Sequence, residues 1–466
     1  MDRVQARHAS LSTFQCRQPF SRQRLAQFQE RPGRRTSSPV AGLRRVRIEK
    51  VAQNQCMMRR VETPEPQRRL PLLRRVAILV GFGIVSSVAA GCSSAASSTT
   101  TDPSSIARTP SPSPGLPYSV LEGVACARAN DCWAVGYSGI GGTAASNSLI
   151  EHYAGNVWAP VSAPSPIEGQ LFGLTCVSAG DCWAVGEAGL WNDGPPLIEH
   201  YSGDGWAIVA SPNPGGGILD GVTCASATDC WAVGGAYYLA NAPPLTEHYA
   251  GDGWAIVNSL KFSNHELYDV ACVSAGDCWA VGGIVNPYGL GGSSPTPGPQ
   301  DVQPLVARYT GGGWAIVSTP NRGPGQLGGV TCAGAGGCWA VGSLNAANSP
   351  PLIEHDLGTG WAVSTPDPSP GDLSDIACPS VGECWAVGSS ASNKPLIERY
   401  AGSSWAVVSN AAPNPAPGTS LGSLHGVTCT GANDCWAVGN SGGPDSDGQM
   451  LIEHYLGSSW AILGRQ

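Results

Sequence analysis

The chain has 466 residues, with 62 glycines, 38 prolines and only 13% charged side chains. This turn-rich composition excludes a mainly helical protein and favours many short strands joined by tight turns. Charge is unevenly divided: residues 1–91 hold 18 Lys and Arg against 5 Asp and Glu, and residues 92–466 hold 8 against 29, so a net +13 and a net −21 make the overall −8. Eight basic side chains provide no stripe to neutralise phosphates, so no nucleic-acid partner is expected for residues 92–466, nor direct attraction to anionic lipid.

Residues 1–56 are rich in Gln and Arg and lack apolar periodicity, so no fold is expected of them. Met57 and Met58 are alternative starts, which would make that stretch an over-extended gene start. Residues 57–91 read as a signal peptide: Arg59, Arg60, Arg68, Arg69, Arg74 and Arg75 precede the apolar run 76–90, which ends in small residues. The run is short for a membrane-spanning helix. Its end, Ala89-Ala90-Gly91-Cys92-Ser93-Ser94, resembles a bacterial lipoprotein signal, and the resemblance implies lipidation of Cys92 and attachment to the membrane through that lipid alone. An uncleaved anchor and, through Arg74-Arg75, twin-arginine export are the alternatives. Residues 92–118 are rich in Ser, Thr and Pro and make an extended tether.

Residues 119–466 hold a repeat. GVTCASATDCWAVG at 221–234 recurs with small changes beginning at Gly123, Gly173, Asp269, Gly329, Asp375 and Gly426, making seven copies with Trp-to-Trp spacings of 46 to 60 residues. Such a period marks a repeat architecture. In the second copy four apolar runs follow one another, at 171–176, 182–186, 197–201 (LIEHY) and 206–209 (WAIV), with Gly, Pro and Asp between them. Four strands in each of seven repeats predict an all-β fold: a seven-bladed β-propeller with four antiparallel strands per blade. One blade has no core of its own, so the seven Trp-Ala-Val-Gly segments and the seven later Trp-Ala pairs must pack between neighbours.

Fourteen of the 17 cysteines fall in seven pairs six residues apart: Cys126/Cys132, Cys176/Cys182, Cys224/Cys230, Cys272/Cys278, Cys332/Cys338, Cys378/Cys384 and Cys429/Cys435. Regular pairing reads as disulfides formed in an oxidising compartment, and so as an extracytoplasmic protein. Metal binding is the rival reading, against which five intervening residues exceed the usual two-to-four spacing. In the predicted blade the first cysteine ends the innermost strand and the second begins its neighbour, across a five-residue hairpin loop. Facing residues there lie about 4.5–5.5 Å apart between Cα atoms, and closing so short a loop contributes about 2 kcal/mol. Each bridge is thus expected to reinforce its own blade and not to staple blades together.

The order of an innermost apolar strand, Trp-Ala-Val-Gly, then a strand running into Gly-x-x-Trp resembles the propellers of photosystem II assembly-factor type. It is also similar to sialidase-like propellers with Asp-box repeats of bacterial neuraminidase type. The Ser202-Gly203-Asp204-Gly205-Trp206 turn is shorter than a full Asp-box, and Gly457-Ser458-Ser459-Trp460 lacks the aspartate. The resemblance implies the fold over 119–466; a photosynthetic role does not follow, because the fold is widely shared.

Glu-His before Tyr or its counterpart recurs at Glu151/His152, Glu199/His200, Glu247/His248, Glu354/His355 and Glu453/His454, with Arg308 and Arg399 at the histidine position of the other two blades. A pair shared by most blades is expected to serve each blade alike, through hydrogen bonds, rather than acid–base chemistry. Function is sought where the repeat varies. The residue after the leading leucine is Glu122, Phe172, Asp220, Tyr268, Gly328, Ser374 and His425 in turn. As the start of the innermost strand, it would ring one mouth of the central channel. Trp191, Tyr237, Tyr238, Lys261, Phe262, His265, Tyr288 and Arg322 also depart from the repeat and fall on loops expected at the same face. The ligand-binding set is therefore Glu122, Phe172, Asp220, Tyr268, Ser374, His425, Trp191, Tyr237, Tyr238, Phe262 and Tyr288.

Sialidase chemistry needs three clustered arginines, and two of the five here, Arg308 and Arg399, occupy the repeated histidine position. A glycosidase using Glu122 and Asp220 as paired carboxylates is the enzymatic alternative. Asp445-Ser446-Asp447-Gly448 resembles half a calcium loop without the distal glutamate. No phosphate loop, nucleophile elbow or His-Glu-x-x-His helix occurs. The sequence thus predicts an exported lipoprotein, anchored to the bacterial cell membrane or alternatively secreted. It is expected to be monomeric, without cofactor or metal, and to bind a glycan or protein at the cell surface.

Overall fold

Each copy of the repeat becomes four strands paired in chain order. In blade one, β1 (Tyr118–Arg128), β2 (Asp131–Gly139), β3 (Ser146–Ala154) and β4 (Val157–Val161) form one antiparallel sheet. Six further four-stranded sheets of the same order follow, at 169–209, 218–256, 265–317, 325–364, 371–407 and 422–464. The computed structural model describes residues 118–139, 146–164, 168–189, 194–212, 215–235, 243–257, 260, 265–284, 302–320, 323–334, 337–409, 422–442 and 448–464. The architecture is a seven-bladed β-propeller.

The Cys-Trp-Ala-Val segment explains how blades stack. Successive strand residues point to opposite faces. Trp133 and Val135 of blade one therefore join a core with Leu171, Cys182, Ala184 and Trp206 of blade two, while Cys132 and Ala134 turn the other way, onto Trp436 and Val438 of blade seven. The same division generates seven inter-blade cores. At each, the second-strand Trp of one blade meets the outer-strand Trp of the next edge-on. Ring centroids are 5.3–5.5 Å apart at 77–89°, a geometry that adds about 0.5–1.5 kcal/mol beyond area burial. The contact of Trp436 with Trp158 closes the ring. Because every sheet is one continuous stretch of chain, closure between the last and first blades comes from packing, without exchange of a strand.

All seven predicted disulfides form within blades: Cys126–Cys132, Cys176–Cys182, Cys224–Cys230, Cys272–Cys278, Cys332–Cys338, Cys378–Cys384 and Cys429–Cys435, with Cα–Cα distances of 3.9–4.0 Å. The cysteines are closer than predicted, and the hairpin loop is tighter. In blade one, pairing continues past Cys126↔Cys132 to Arg128↔Asp131, leaving a two-residue turn with a bulge before it. In this blade the five-residue loop expected from spacing alone is thus mostly strand, whereas in blade five the pairing ends at Cys332↔Cys338.

Each bridge lies within its own blade and staples no two blades together, as expected, and its second cysteine has a further packing role. The second cysteine of every pair is fully buried: Cys132, Cys182, Cys230, Cys278, Cys338, Cys384 and Cys435 all have 0% exposure. Each sits in a core shared with the preceding blade. Cys230 lies with Trp183, Cys278 with Trp231, Cys338 with Trp279, Cys384 with Trp339 and Cys435 with Trp385, as Cys182 does with Trp133 and Cys132 with Trp436. The reason is the alternation of the strand, which turns the cysteine away from the Trp that follows it and toward the Trp of the neighbour. No disulfide crosses a blade boundary, yet these sulfurs act as apolar packing groups there. Their role is structural, and none of the seven lines the channel cavity described below.

The recurrent pairs of the third strand have the shared structural role anticipated from their repetition. His152, His200, His248 and His454 each place Nε2 2.6–2.9 Å from the hairpin aspartate of the same blade, Asp131, Asp181, Asp229 or Asp434. Each ring stacks on the second-strand Trp, with centroids 3.7–4.3 Å apart. Arg308 and Arg399 substitute by pairing with Asp277 and Glu383 and lying over Trp279 and Trp385. The glutamates preceding them, in six blades, are fully buried. Glu247 accepts from Ser211 Oγ at 2.9 Å and Glu398 from the Asp367 amide at 3.4 Å, so both hold the segment that arrives from the preceding blade.

Candidate functional site

One irregularity, repeated in all seven blades, builds the site. In every innermost strand the residue after the leading leucine is skipped by the pairing register. Leu121 faces Gly136 and Gly123 faces Val135, so Glu122 bulges between them. Phe172, Asp220, Tyr268, Gly328, Ser374 and His425 are bypassed in the same way. A bulge re-aims its side chain out of the sheet, here toward the central channel. The Trp-Ala-Val-Gly glycine is tied to this bulge. A Cβ on Gly136 would lie 2.0 Å from the Val120 carbonyl oxygen, and one on Gly186 1.9 Å from that of Gln170. A second glycine lets the inner strands close on one another: a Cβ on Gly173 would stand 2.6 Å from the Asp220 carbonyl oxygen of the next blade.

All seven bulged residues line one cavity of about 310 Å³, joined by Gly123, Val124, Gly173, Leu174, Gly221, Val222, Asp269 and Asp375. The position differs from the sequence reading in one respect. Pairing extends three residues ahead of the leucine in blade one, through Tyr118↔Gly139, Ser119↔Ser138 and Val120↔Tyr137. The bulge therefore lies inside the strand rather than at its start, and the ring lies within the channel. Of the predicted set, Glu122, Phe172, Asp220, Tyr268, Ser374 and His425 come together there. Trp191, Tyr237, Tyr238, Phe262, Tyr288 and the proposed lipid site Cys92 lie outside the described residues, as do Lys261, Arg322 and Asp445 to Asp447.

The cavity is acidic, and its carboxylates are not equivalent. His425 Nδ1 lies 2.5 Å from Glu122 Oε2, while its Nε2 faces Ser423 Oγ at 2.5 Å and Asn440 Oδ1 at 3.2 Å. Burial acts to lower the His425 value, but the charge and hydrogen bond of Glu122, with Asn440, raise it overall. Asp269 and Asp375 were not singled out as site residues. Each receives two backbone N–H bonds, Asp269 from Val270 and Val330 at 2.8 Å, Asp375 from Ile376 at 2.7 Å and Val427 at 2.8 Å. Each thereby ties its inner strand to that of the next blade. Burial, and for Asp269 the charge of Asp375, raises both above the ordinary carboxylate range, Asp375 to about 6, against the opposing pull of those bonds. The signal was visible in the repeat, where these two aspartates replace glycine at the head of the motif.

Asp220 differs from the other three. Burial first, then the charges of Glu266, Glu187 and Glu122, push its carboxyl well above the usual range. Its Oδ2 is shut off from solvent and has no hydrogen-bond partner. Glu266, 6% exposed, likewise has an unpartnered Oε1; burial raises it to about 7 despite a hydrogen bond from Tyr268. Glu187, 4% exposed, completes this group on the second strand of blade two. Among the described residues no three His, Cys, Asp or Glu side chains are placed to share a metal ion.

Fold and cavity together define a disulfide-reinforced propeller with a variable, acidic central site. No protein-family model matches this chain, and no curated protein matches it. Among solved structures, YCF48 from Cyanidioschyzon merolae is similar at 12% identity over 72% of this chain and 96% of that one, with a TM-score of 0.46. A structure of YCF48 bound to D1 peptide is similar at 13% identity over 72% and 93%, with a TM-score of 0.47. The six-bladed fucose-recognising lectin of Aleuria aurantia is similar at 14% over 62% and 93%, with a TM-score of 0.40. At such values nothing about ligand or chemistry transfers to this chain, and its seven-bladed fold rests on its own strand pairing.

Proposed function

We propose that this chain is an exported lipoprotein, anchored through Cys92, whose propeller is a non-catalytic platform binding a glycan or a protein at the cell surface. The observation that carries this reading is the bulge ring. Seven positions held in place by identical backbone chemistry differ in identity at every blade and converge on one cavity. A uniform scaffold with variable inward side chains is how a recognition site is specialised without cost to the fold. The opposite face, made of disulfide hairpins and Gly-x-x-Trp turns, is nearly alike in every blade and discriminates poorly. Seven disulfides support an oxidising, extracytoplasmic setting.

Glycan-array and surface-protein pull-down experiments on the full chain test this reading. Phe172→Ala and Tyr268→Ala should lose the captured ligand, whereas Arg128→Ala on the hairpin face should keep it. Retention by both channel variants together with loss in the hairpin variant would overturn it. One observation favours a second reading, a glycan-active hydrolase or lyase: Asp220, whose carboxyl burial pushes above the usual range, lines the same cavity as a second carboxyl group, Glu122. Turnover of a cell-wall or plant polysaccharide that is abolished by Glu122→Gln, with binding preserved, would establish that alternative.

A further inference from the structure

The cavity has one unmet electrostatic need. Asp269 and Asp375 each accept two backbone N–H bonds, one on each oxygen, and Glu122 is engaged by His425. Among the described residues Asp220 is the remaining lining carboxylate. No hydrogen bond reaches its buried Oδ2, and the neighbouring Glu266 Oε1 is also unpartnered. A carboxylate left this way calls for a positive charge, and among the described residues no Lys or Arg lines the cavity.

The walls beside Asp220 indicate which kind of positive charge. The bulged residues of the two flanking blades are Phe172 and Tyr268, and both line the same cavity. The three inner strands are in close contact: Cβ atoms on Gly173 and Gly221 would fall 2.6 Å from the Asp220 carbonyl oxygen and 2.9 Å from that of Tyr268. Tyr137 packs edge-on against Phe172 at 6.4 Å, backing that wall. An acid between two aromatic side chains attracts an organic cation, whose charge meets the carboxylate and whose carbon-bound hydrogens meet the ring faces. A bare metal ion would instead need several convergent oxygen ligands.

We propose that the central cavity binds a protonated amine, with Asp220 as its counter-ion and Phe172 and Tyr268 as its aromatic walls. This rests on the binding-platform reading and specifies the chemistry its ligand must carry, an ammonium group borne by an amino sugar or by a lysine side chain. In the empty cavity burial, with Glu266, Glu187 and Glu122 around it, favours a proton on Asp220; Tyr268 on the adjacent strand feels the same charge, and His425 stands beyond Glu122. An arriving R-NH3+ takes over that neutralising role. Asp220 becomes a carboxylate and one proton leaves to solvent, so charge and protons balance.

The test is calorimetric titration of the full chain at about 150 mM salt, which screens the net negative charge of the body. The probes are glucosamine, N-acetylglucosamine, Nα-acetyl-lysine methylamide and its Nε-acetylated form. Each charged amine that binds should do so about tenfold or more tightly than its acetylated counterpart. Its binding heat should vary with the ionisation enthalpy of the buffer, reporting proton release. Asp220→Asn should abolish both the charge preference and the proton release at an unchanged melting temperature, and Phe172→Leu should weaken amine binding while leaving proton release in place. The amine bound more tightly identifies the carrier. Equal binding of charged and acetylated probes, with loss in Phe172→Leu, would sink the amine assignment and leave the binding platform standing. No binding of any probe, or an undiminished charge preference in Asp220→Asn, would also overturn the amine site; the platform itself is judged separately by the array and pull-down experiments.

Discussion

His425 of the last blade and Glu122 of the first lie 2.5 Å apart, Nδ1 to Oε2, joining residues 303 positions distant at the seam of the ring. Other seams have nothing like it in the bulge ring, where Phe172, Gly328 and Ser374 cannot form an ion pair. The contact makes closure sensitive to pH. Burial lowers the His425 value, but Glu122 and Asn440 raise it overall above its ordinary 6.5. A raised folded-state value means that the stabilisation is complete below the unfolded value and is lost as pH rises through the folded one. The melting-temperature difference between wild type and His425→Gln should therefore be largest below about pH 6.5 and shrink at alkaline pH. A constant difference would show that the pair contributes no charge interaction.

The buried third-strand glutamates impose a second, broader pH dependence of the same sign. Burial raises Glu247, Glu354 and Glu398 from 4.5 to about 7; the Ser211 bond opposes this at Glu247 and the Asp367 amide at Glu398. The folded chain then holds more protons than the unfolded chain between those values. Stability should fall as pH rises from about 5 to 7, by up to about 1.4 kcal/mol per pH unit for each group titrating fully. Glu354→Gln, which keeps the shape and removes the charge, should flatten that slope in chemical-denaturation measurements. A slope unchanged by the substitution would assign the effect elsewhere.

Blade five lacks one part that the other blades possess. Gly337 stands where the others carry Asp or Glu, so His355 stacks on Trp339 at 3.9 Å but its Nε2 is buried without a partner. Burial, against a smaller opposing effect of Asp356, lowers its value. Among the described residues a Cβ on Gly337 has no neighbour closer than 3.7 Å. Gly337→Asp should supply the missing acceptor and stabilise the chain by about 1 kcal/mol; a lower melting temperature would refute the assignment.

The bulge and the Trp-Ala-Val-Gly glycine should fail together. Gly186→Ala places a methyl group 1.9 Å from the Gln170 carbonyl oxygen, so the bulge must shift. The expected cost is about 2–3 kcal/mol. Ligand binding through the neighbouring Phe172 should fall as well, whereas Ala substituted at Gly312, with open space around it, should leave binding intact. Full binding by Gly186→Ala would show that the bulge does not position the ring.

The anchoring proposal has its own check. Cys92→Ser should shift the protein from the membrane to the medium or leave an unprocessed precursor. Mass spectrometry of the mature amino terminus should find lipid on Cys92 in the wild type; a different terminus without lipid would reject that reading.

Much of the fold was legible because it is local and repeated. Cysteines six apart, Trp-Ala-Val-Gly and the second Trp-Ala recur seven times, and period-two alternation dictates that Trp and Val of one segment face one neighbour while Cys and Ala face the other. Blade number, strand order and the local disulfides follow from those spacings. The importance of the residue after each leading leucine is legible too, since it differs in all seven copies while the leucine before it is constant. Three things were decided only by the tertiary structure. The bulge became apparent only once pairing on the opposite strand was known, because register is a relation between two strands and spacing on one cannot reveal it. The non-equivalence of the carboxylates depended on which backbone amides and side chains reach each one across a blade boundary: Val330 and Val427 donate to Asp269 and Asp375, His425 engages Glu122, and no such group reaches Asp220 Oδ2. The pairing of His425 with Glu122 required the ring to close, since two residues at opposite ends of a repeat array become neighbours only when seven small rotations between blades add up to a full turn.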